Sequence, residues 1–259
     1  MNRATIKKIV TLHKNTIKMK NIITLCAIAL CFASCKQDSG WEQLFNGKDL
    51  SGWSVICQQQ DKDKGFWSVE DGSILCNSIG RKDHDYVWLI SDREFSDFEL
   101  RMKFQAYSDS PGNSGIQFRS RYDYDTKGGW LHGPQVDINP PASMPWRTGL
   151  IYDETDGVNR WIYPSLPNWE MPQKYEPEKH IFKYAEDGDG WNELNLICKG
   201  MKIKVTVNGI VRTDWDATGF LDTELHKKNN VGSSGHFAFQ LHSGDELRIR
   251  YKDIMIKVL

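Results

Sequence analysis

The sequence predicts an all-β domain, a sandwich of two antiparallel sheets, on three observations. Apolar residues recur at every second position in segment after segment. No stretch of the mature chain keeps a 3.6-residue period beyond two turns, and the short runs are separated by Gly, Asn and Asp clusters. A period of two places alternate side chains on opposite faces, so each run reads as a strand with one face on a core. About a dozen such strands with turn signals between them fit two packed sheets.

The strands follow in order. In "DFELRMKFQAY" (97–107) Phe98, Leu100, Met102, Phe104 and Ala106 share one face, and in "GNSGIQFRSR" (112–121) Ile116 and Phe118 oppose Gln117, Arg119 and Arg121. "GPQVDIN" (133–139) turns Val136 and Ile138 to the core and Gln135, Asp137 and Asn139 away from it. Four Pro interrupt the aromatic-rich segment 157–192. Proline cannot donate to a ladder, so a long loop is expected there, and loops of that length tend to be functional. "MKIKVTV" (201–207) aligns Met201, Ile203, Val205 and Val207. The Asn208-Gly209 pair after it marks a hairpin, because both central residues of the favoured two-residue turn need positive φ. In "HFAFQLH" (236–242) Phe237, Phe239 and Leu241 face the core, leaving Gln240 and His242 opposite. Apolar residues occupy odd positions in "ELRIRY" (246–251) and even ones in "IMIKVL" (254–259), which predicts a bulge near Lys252-Asp253.

Ahead of these strands, "MKNIITLCAIALCFASC" (19–35) has a basic start, an apolar run from Ile22 to Phe32 and small residues before a cysteine. That is the layout of a bacterial export signal, and its apolar run is too short for a permanent membrane span. "FASC" looks like a lipobox, so Cys35 is the expected lipidation site; an ordinary cleaved signal is the alternative. The expected organisation is an export signal over 1–35, a tether over 36–40 and one domain over 41–259, with Met1 or Met19 as the start. The domain is then an exported lipoprotein of the cell envelope, in the periplasm or at the outer membrane, anchored by its acyl chains. The cysteines of the expected domain, Cys57, Cys76 and Cys198, permit at most one disulfide among themselves. Without a Cys-x-x-Cys pair a structural zinc site is not expected. Lys+Arg 33 against Asp+Glu 34 leaves no global field to attract nucleic acid.

The face turned away from the core carries the chemistry. Gln117, Arg119, Gln135, Asp137, Gln240 and His242 share that phase on three strands, and form one polar cluster if those strands share a sheet. Amides and guanidinium groups bind hydroxyls in fixed geometry, as a sugar ring demands. The plainer alternative is a cross-strand Arg119–Asp137 ion pair with no ligand. "TGLIYDETDGVNRW" (148–161) adds Tyr152, Asp153, Glu154 and Arg160 at a strand end, and Trp161, Tyr163 and Trp169 either stack on a pyranose or plug and hold down the proline-rich loop. The expected substrate-binding set is Asn113, Gln117, Gln135, Tyr152, Arg160, Trp161 and Gln240.

"WEQLFNGKDLSGW" (41–53), "WSVEDGSI" (67–74), "DFELRMKF", "GNSGIQFRSR", "GPQVDIN", "TGLIYDE", "WNELNLICKG", "FQLHSG" (239–244) and "IMIKVL" resemble, in order, the 3-keto-disaccharide hydrolase family. The resemblance covers 41–259. It implies a concanavalin A-like jelly roll, export to the envelope and action on 3-keto-glycosides. Glycosidases ordinarily use two carboxyl groups flanking the scissile bond. "QVDIN" offers Asp137 between two amides and cannot supply both. A 3-keto sugar allows another route, in which a base removes the acidified C2 proton, the C1 substituent leaves and water adds. For that route Asp137 or His242 is the expected base, Arg119 with Gln135 the oxyanion support, and Glu154 or Tyr152 the aid to the leaving group. No cofactor is expected, a divalent ion being the alternative to Arg119 at the enolate. A non-catalytic, lectin-like sugar-binding lipoprotein on the same fold is the competing function.

Overall fold

A computed structural model of the chain describes residues 40–110, 112–139, 147–158, 161–165, 168, 170 and 182–259. The export segment with Cys35, and Arg160 and Trp169, lie outside the described residues. Among the described residues fifteen strands, numbered in chain order, make two sheets in which every pairing between strands is antiparallel. The first sheet runs β13 (Ile210–Asp216), β12 (Lys202–Val207), β11 (Asn192–Lys199), β6 (Phe98–Ala106), β15 (Arg248–Val258), β4 (Ser73–Asn77) and β3 (Trp67–Glu70), with β1 (Trp41–Gln43) also on β15. The second runs β10 (Ile151–Asp153), β9 (Pro134–Ile138), β7 (Ser114–Asp123), β14 (Gly235–Leu241), β5 (Val87–Phe95) and β2 (Trp53–Cys57), with β8 (Trp130–His132) folded back on β7.

The alternating patterns predict the buried faces correctly. Phe98, Leu100, Met102 and Phe104 of β6 and Phe237, Phe239 and Leu241 of β14 are all buried between the sheets. The Phe98 and Phe237 rings meet edge to face at 4.7 Å, and Phe239 stacks on Tyr251 at 4.1 Å. Asn208 and Gly209 take φ of 49° and 81°, as the two-residue hairpin between β12 and β13 requires. The β15 register slips between Lys252 and Met255, where Asp253 has φ 53°, so the change of apolar phase is a bulge within one strand.

A second bulge overturns one expectation. In β7, Gln117 lies opposite Ala238 and Ser120 opposite His236, so Phe118 and Arg119 together face Phe237 alone. Arg119 absorbs the extra residue at φ 50°. From there its side chain enters the interior, with 1% exposure, instead of joining Gln117 on the outer face. Its Nε donates to Ser96 O at 2.7 Å, Nη1 to Gly200 O at 2.7 Å and Gly232 O at 3.2 Å, and Nη2 to Asp97 Oδ1 at 3.1 Å. Neither the Arg119–Asp137 pair nor an oxyanion role for Arg119 survives this placement. Trp161 is likewise corrected. It is buried, with its ring edge-on to Trp215 at 5.4 Å, and Tyr163 stacks on the same Trp215 at 4.7 Å, so both brace the loop from beneath.

Replacing Arg119 by Met would leave three backbone carbonyls of this buried cluster without their donor. Urea denaturation of Arg119→Met is expected to show a loss of about 3–5 kcal/mol, with unchanged activity per folded molecule.

Candidate functional site

The second sheet brings the polar strands side by side. Gln135 of β9 pairs with Gln117 of β7 on one flank and Tyr152 of β10 on the other, while Asp137 pairs with Gly115. Directly paired residues of antiparallel strands project to the same face, so these side chains share one surface. A cavity of about 120 Å³ opens there, lined by Tyr86, Asn113, Gln135, Asp137, Arg147, Tyr152, Glu154 and His242. Six of these eight, Asn113, Gln135, Asp137, Tyr152, Glu154 and His242, belong to the set expected from sequence.

Gln117 and Gln240 are fully buried and do not line the cavity. Gln117 Nε2 donates to Leu131 O at 3.0 Å and Gln240 Nε2 to Glu154 Oε1 at 3.4 Å, so both brace the wall. Among the described residues the Oε1 atoms of Gln117, Gln135 and Gln240 have no hydrogen-bond partner. Buried amide oxygens left in that state are costly, and of the three only that of Gln135 belongs to a residue lining the cavity, where it suits a hydroxyl donor.

Gly115 makes room for the centre of the site. A Cβ there would lie 2.2 Å from Gln135 Cδ, so only glycine lets the Gln135 amide cross to Asp137. Gln135 Nε2 donates to Asp137 Oδ1 at 2.8 Å. Asp137 Oδ2 has no hydrogen bond among the described residues and lies 3.4 Å from Arg147 Nε. Arg147 gets there because the turn after it docks on the backbone of Asp137 itself. Gly149 N donates to Asp137 O at 2.9 Å, Asp137 N to Leu150 O at 3.0 Å, and Leu150 N to Arg147 O at 2.8 Å. Burial pushes the Asp137 carboxyl above its ordinary range, and Arg147, Gln135 and His242 oppose that push without cancelling it.

On the opposite wall His242 follows β14. Its Nε2 lies 3.0 Å from Tyr86 Oη, and its Nδ1 lies 3.2 Å from Ser243 O and 3.6 Å from Asp245 Oδ2. Asn113 N donates to that same Asp245 oxygen at 2.7 Å. Tyr86 is wedged by aromatic packing, stacked on Trp88 at 5.5 Å and edge-on to Trp130 at 5.0 Å. Glu154 is fixed through its backbone, its N donating to Gly133 O at 3.0 Å and its O accepting Trp130 Nε1 at 2.7 Å.

Sequence reasoning missed Tyr86 and Arg147. Tyr86 stands one residue before the apolar run of β5, where period alone does not separate it from the core. Arg147 directly precedes "TGLIYDE", and a cation beside a strand end that carries Tyr and Glu was the available signal. Among the described residues no cluster of three His, Cys, Asp or Glu side chains is placed to hold a metal ion.

Similar folds occur in solved structures. Two crystal structures of candidate glycosyl hydrolases from Parabacteroides distasonis align with TM-scores of 0.52, at 19% and 18% identity, over 85% of this chain and 94% and 99% of theirs. A third from the same organism aligns at 0.50, with 21% identity over 85% of this chain and 84% of its own. At such identities the likeness shows the fold. No curated protein matches the sequence. Residues 40–257 match the 3-keto-alpha-glucoside-1,2-lyase-like domain, so the chain belongs to that family and is a carbohydrate-active domain.

Proposed function

We propose that the domain cleaves 3-keto-glycosides by removal of the C2 proton, elimination of the C1 substituent and addition of water. The observation that carries this reading is the convergence of the Asp137 carboxyl, the His242 imidazole and the Arg147 guanidinium on a single small cavity, with the Glu154 carboxyl beside them. Family membership supports the substrate class.

In the first step the C3 ketone makes the C2 proton acidic, and a base takes it, leaving an enediolate with its charge on O3. The enediolate electrons then expel the C1 oxygen, which picks up a proton from an acid. Water adds across the new C1–C2 double bond, its hydroxyl to C1 and a proton to C2, to give the free 3-keto sugar. His242 works on the base side. Asp137, biased by burial toward its neutral form, supplies the leaving oxygen with its proton. Arg147 and Gln135 face the developing oxyanion in place of Arg119, in a site where fixed charges act more strongly than in water.

The domain is also proposed to sit at the cell envelope through a lipid on Cys35, on the strength of the basic, apolar and small-residue order before it. Cys35→Ser is expected to move the protein from the membrane fraction to the soluble one; retention in the membrane would refute the anchor.

Asp137→Asn and His242→Gln are each expected to lower kcat/KM on a 3-keto-glucoside by about 10²–10⁴-fold, measured by product NMR. Because the acid must hold its proton, wild-type activity falls as pH rises through the elevated Asp137 pKa, and Asp137→Asn abolishes that limb. Near-normal turnover in both variants would discard the scheme. Gly115→Ala displaces the Gln135 amide and is expected to cost up to about 10²-fold in kcat/KM with an unchanged far-UV circular dichroism spectrum.

A further inference from the structure

Tyr86 and His242 line the cavity side by side, the Tyr86 hydroxyl 3.0 Å from the imidazole Nε2. The geometry points to Tyr86 as the catalytic group that meets the C2 proton, with His242 and Asp245 as positioning residues acting through its hydroxyl; this rests on the 3-keto-glycoside reading above.

The argument begins at the far side of the imidazole. Ser243 O, at 3.2 Å from Nδ1, can only accept a hydrogen bond, and Asp245 Oδ2, at 3.6 Å, is a carboxylate oxygen already engaged by the Asn113 N–H. A nitrogen facing acceptors alone carries the proton, so the neutral ring is the Nδ1–H tautomer. Its Nε2 is then a lone pair, and the group 3.0 Å away is the Tyr86 hydroxyl, which donates to it. A phenol ordinarily titrates near 10 and is too weakly ionised at neutral pH to act as a base unaided. Coupled to an imidazole that takes its proton in the same step, it becomes one.

The step balances within these groups. The C2 proton of the substrate passes to Tyr86 Oη as the Tyr86 hydroxyl proton passes to His242 Nε2, and the C2–H electron pair becomes the enediolate. The resulting imidazolium is met by the Asp245 carboxylate and Ser243 O. When water adds at C1 it gives its proton to the Asp137 carboxylate left by the elimination, and the proton held on His242 returns to C2 by the reverse path. Tyr86 is suited to repeated transfer because its ring is held on three sides, by Trp88, by Trp130 and by the His242 ring at 4.8 Å.

The test uses Tyr86→Phe, which keeps the ring and its packing, with methyl 3-keto-glucoside in D₂O and NMR detection of both C2–H exchange and cleavage. Tyr86→Phe is expected to slow exchange and cleavage together by about 10²–10³-fold with KM within about twofold of wild type. Asp137→Asn is expected to block cleavage while C2–H exchange persists. In ¹⁵N-labelled wild type, without substrate, the His242 ring is expected as the Nδ1–H tautomer, and Asp245→Asn weakens that preference. Wild-type exchange rates in Tyr86→Phe, or an Nε2–H ring in wild type, would overturn the assignment while leaving an active enzyme. A wild type that neither exchanges nor cleaves the substrate would instead remove the functional reading on which the assignment stands.

Discussion

Strand register is the constraint from which the site descends. Asp137, Gln135 and Tyr152 meet in one cavity because β10, β9 and β7 pair in a fixed alignment that sets Gly115 against Asp137 and Gln117 against Gln135. A one-residue slip of β9 would send Val136 and Ile138 into the cavity and Asp137 into hydrocarbon. The core prevents that slip. Ile116, Phe118, Val136 and Ile138 are all buried on the opposite face, so every displaced position would exchange an apolar contact for a polar one. Hydrophobic packing on one side of the sheet therefore fixes the chemistry on the other.

The site itself works against stability. Three glutamine oxygens without hydrogen-bond partners among the described residues and a carboxyl pushed toward its neutral form each cost free energy, of order 1–3 kcal/mol for an unpaired buried group. The aromatic core offsets this. Phe98 with Phe237 and Tyr251 with Phe239 bind the two sheets through large apolar areas that the chemistry never touches. The division is spatial: the interior between the sheets is apolar apart from the Arg119 cluster at one corner, and the unpaired glutamine oxygens and the Asp137 carboxyl collect on one outer face.

Most of this was legible in the sequence, for a physical reason. Alternation reports which face a side chain takes, and it gave Gln135, Asp137 and His242 a common phase; their meeting in one cluster waited on β9 and β14 sharing a sheet. It failed at Arg119 because alternation presumes an unbroken ladder, and nothing in "GIQFRSR" announces that two residues will share one partner. It could not find Arg147, whose position depends on a turn returning to the backbone of Asp137, a tertiary event with no period of its own. Trp161 was misjudged because a large aromatic in a proline-rich loop reads alike whether it holds a ligand or holds the loop, and here it packs on Trp215.

Arg119, lost to catalysis, does something mechanical. Its guanidinium reaches the β5–β6 crossover at Ser96 and Asp97, the β11–β12 turn at Gly200 and the segment entering β14 at Gly232, and Asp97 closes the knot by accepting Gly200 N at 2.9 Å. One side chain thus rivets both layers of the sandwich at a shared corner. With that corner pinned, sliding of one layer past the other would have to break the hydrogen bonds that Gly200 makes with Arg119 and Asp97.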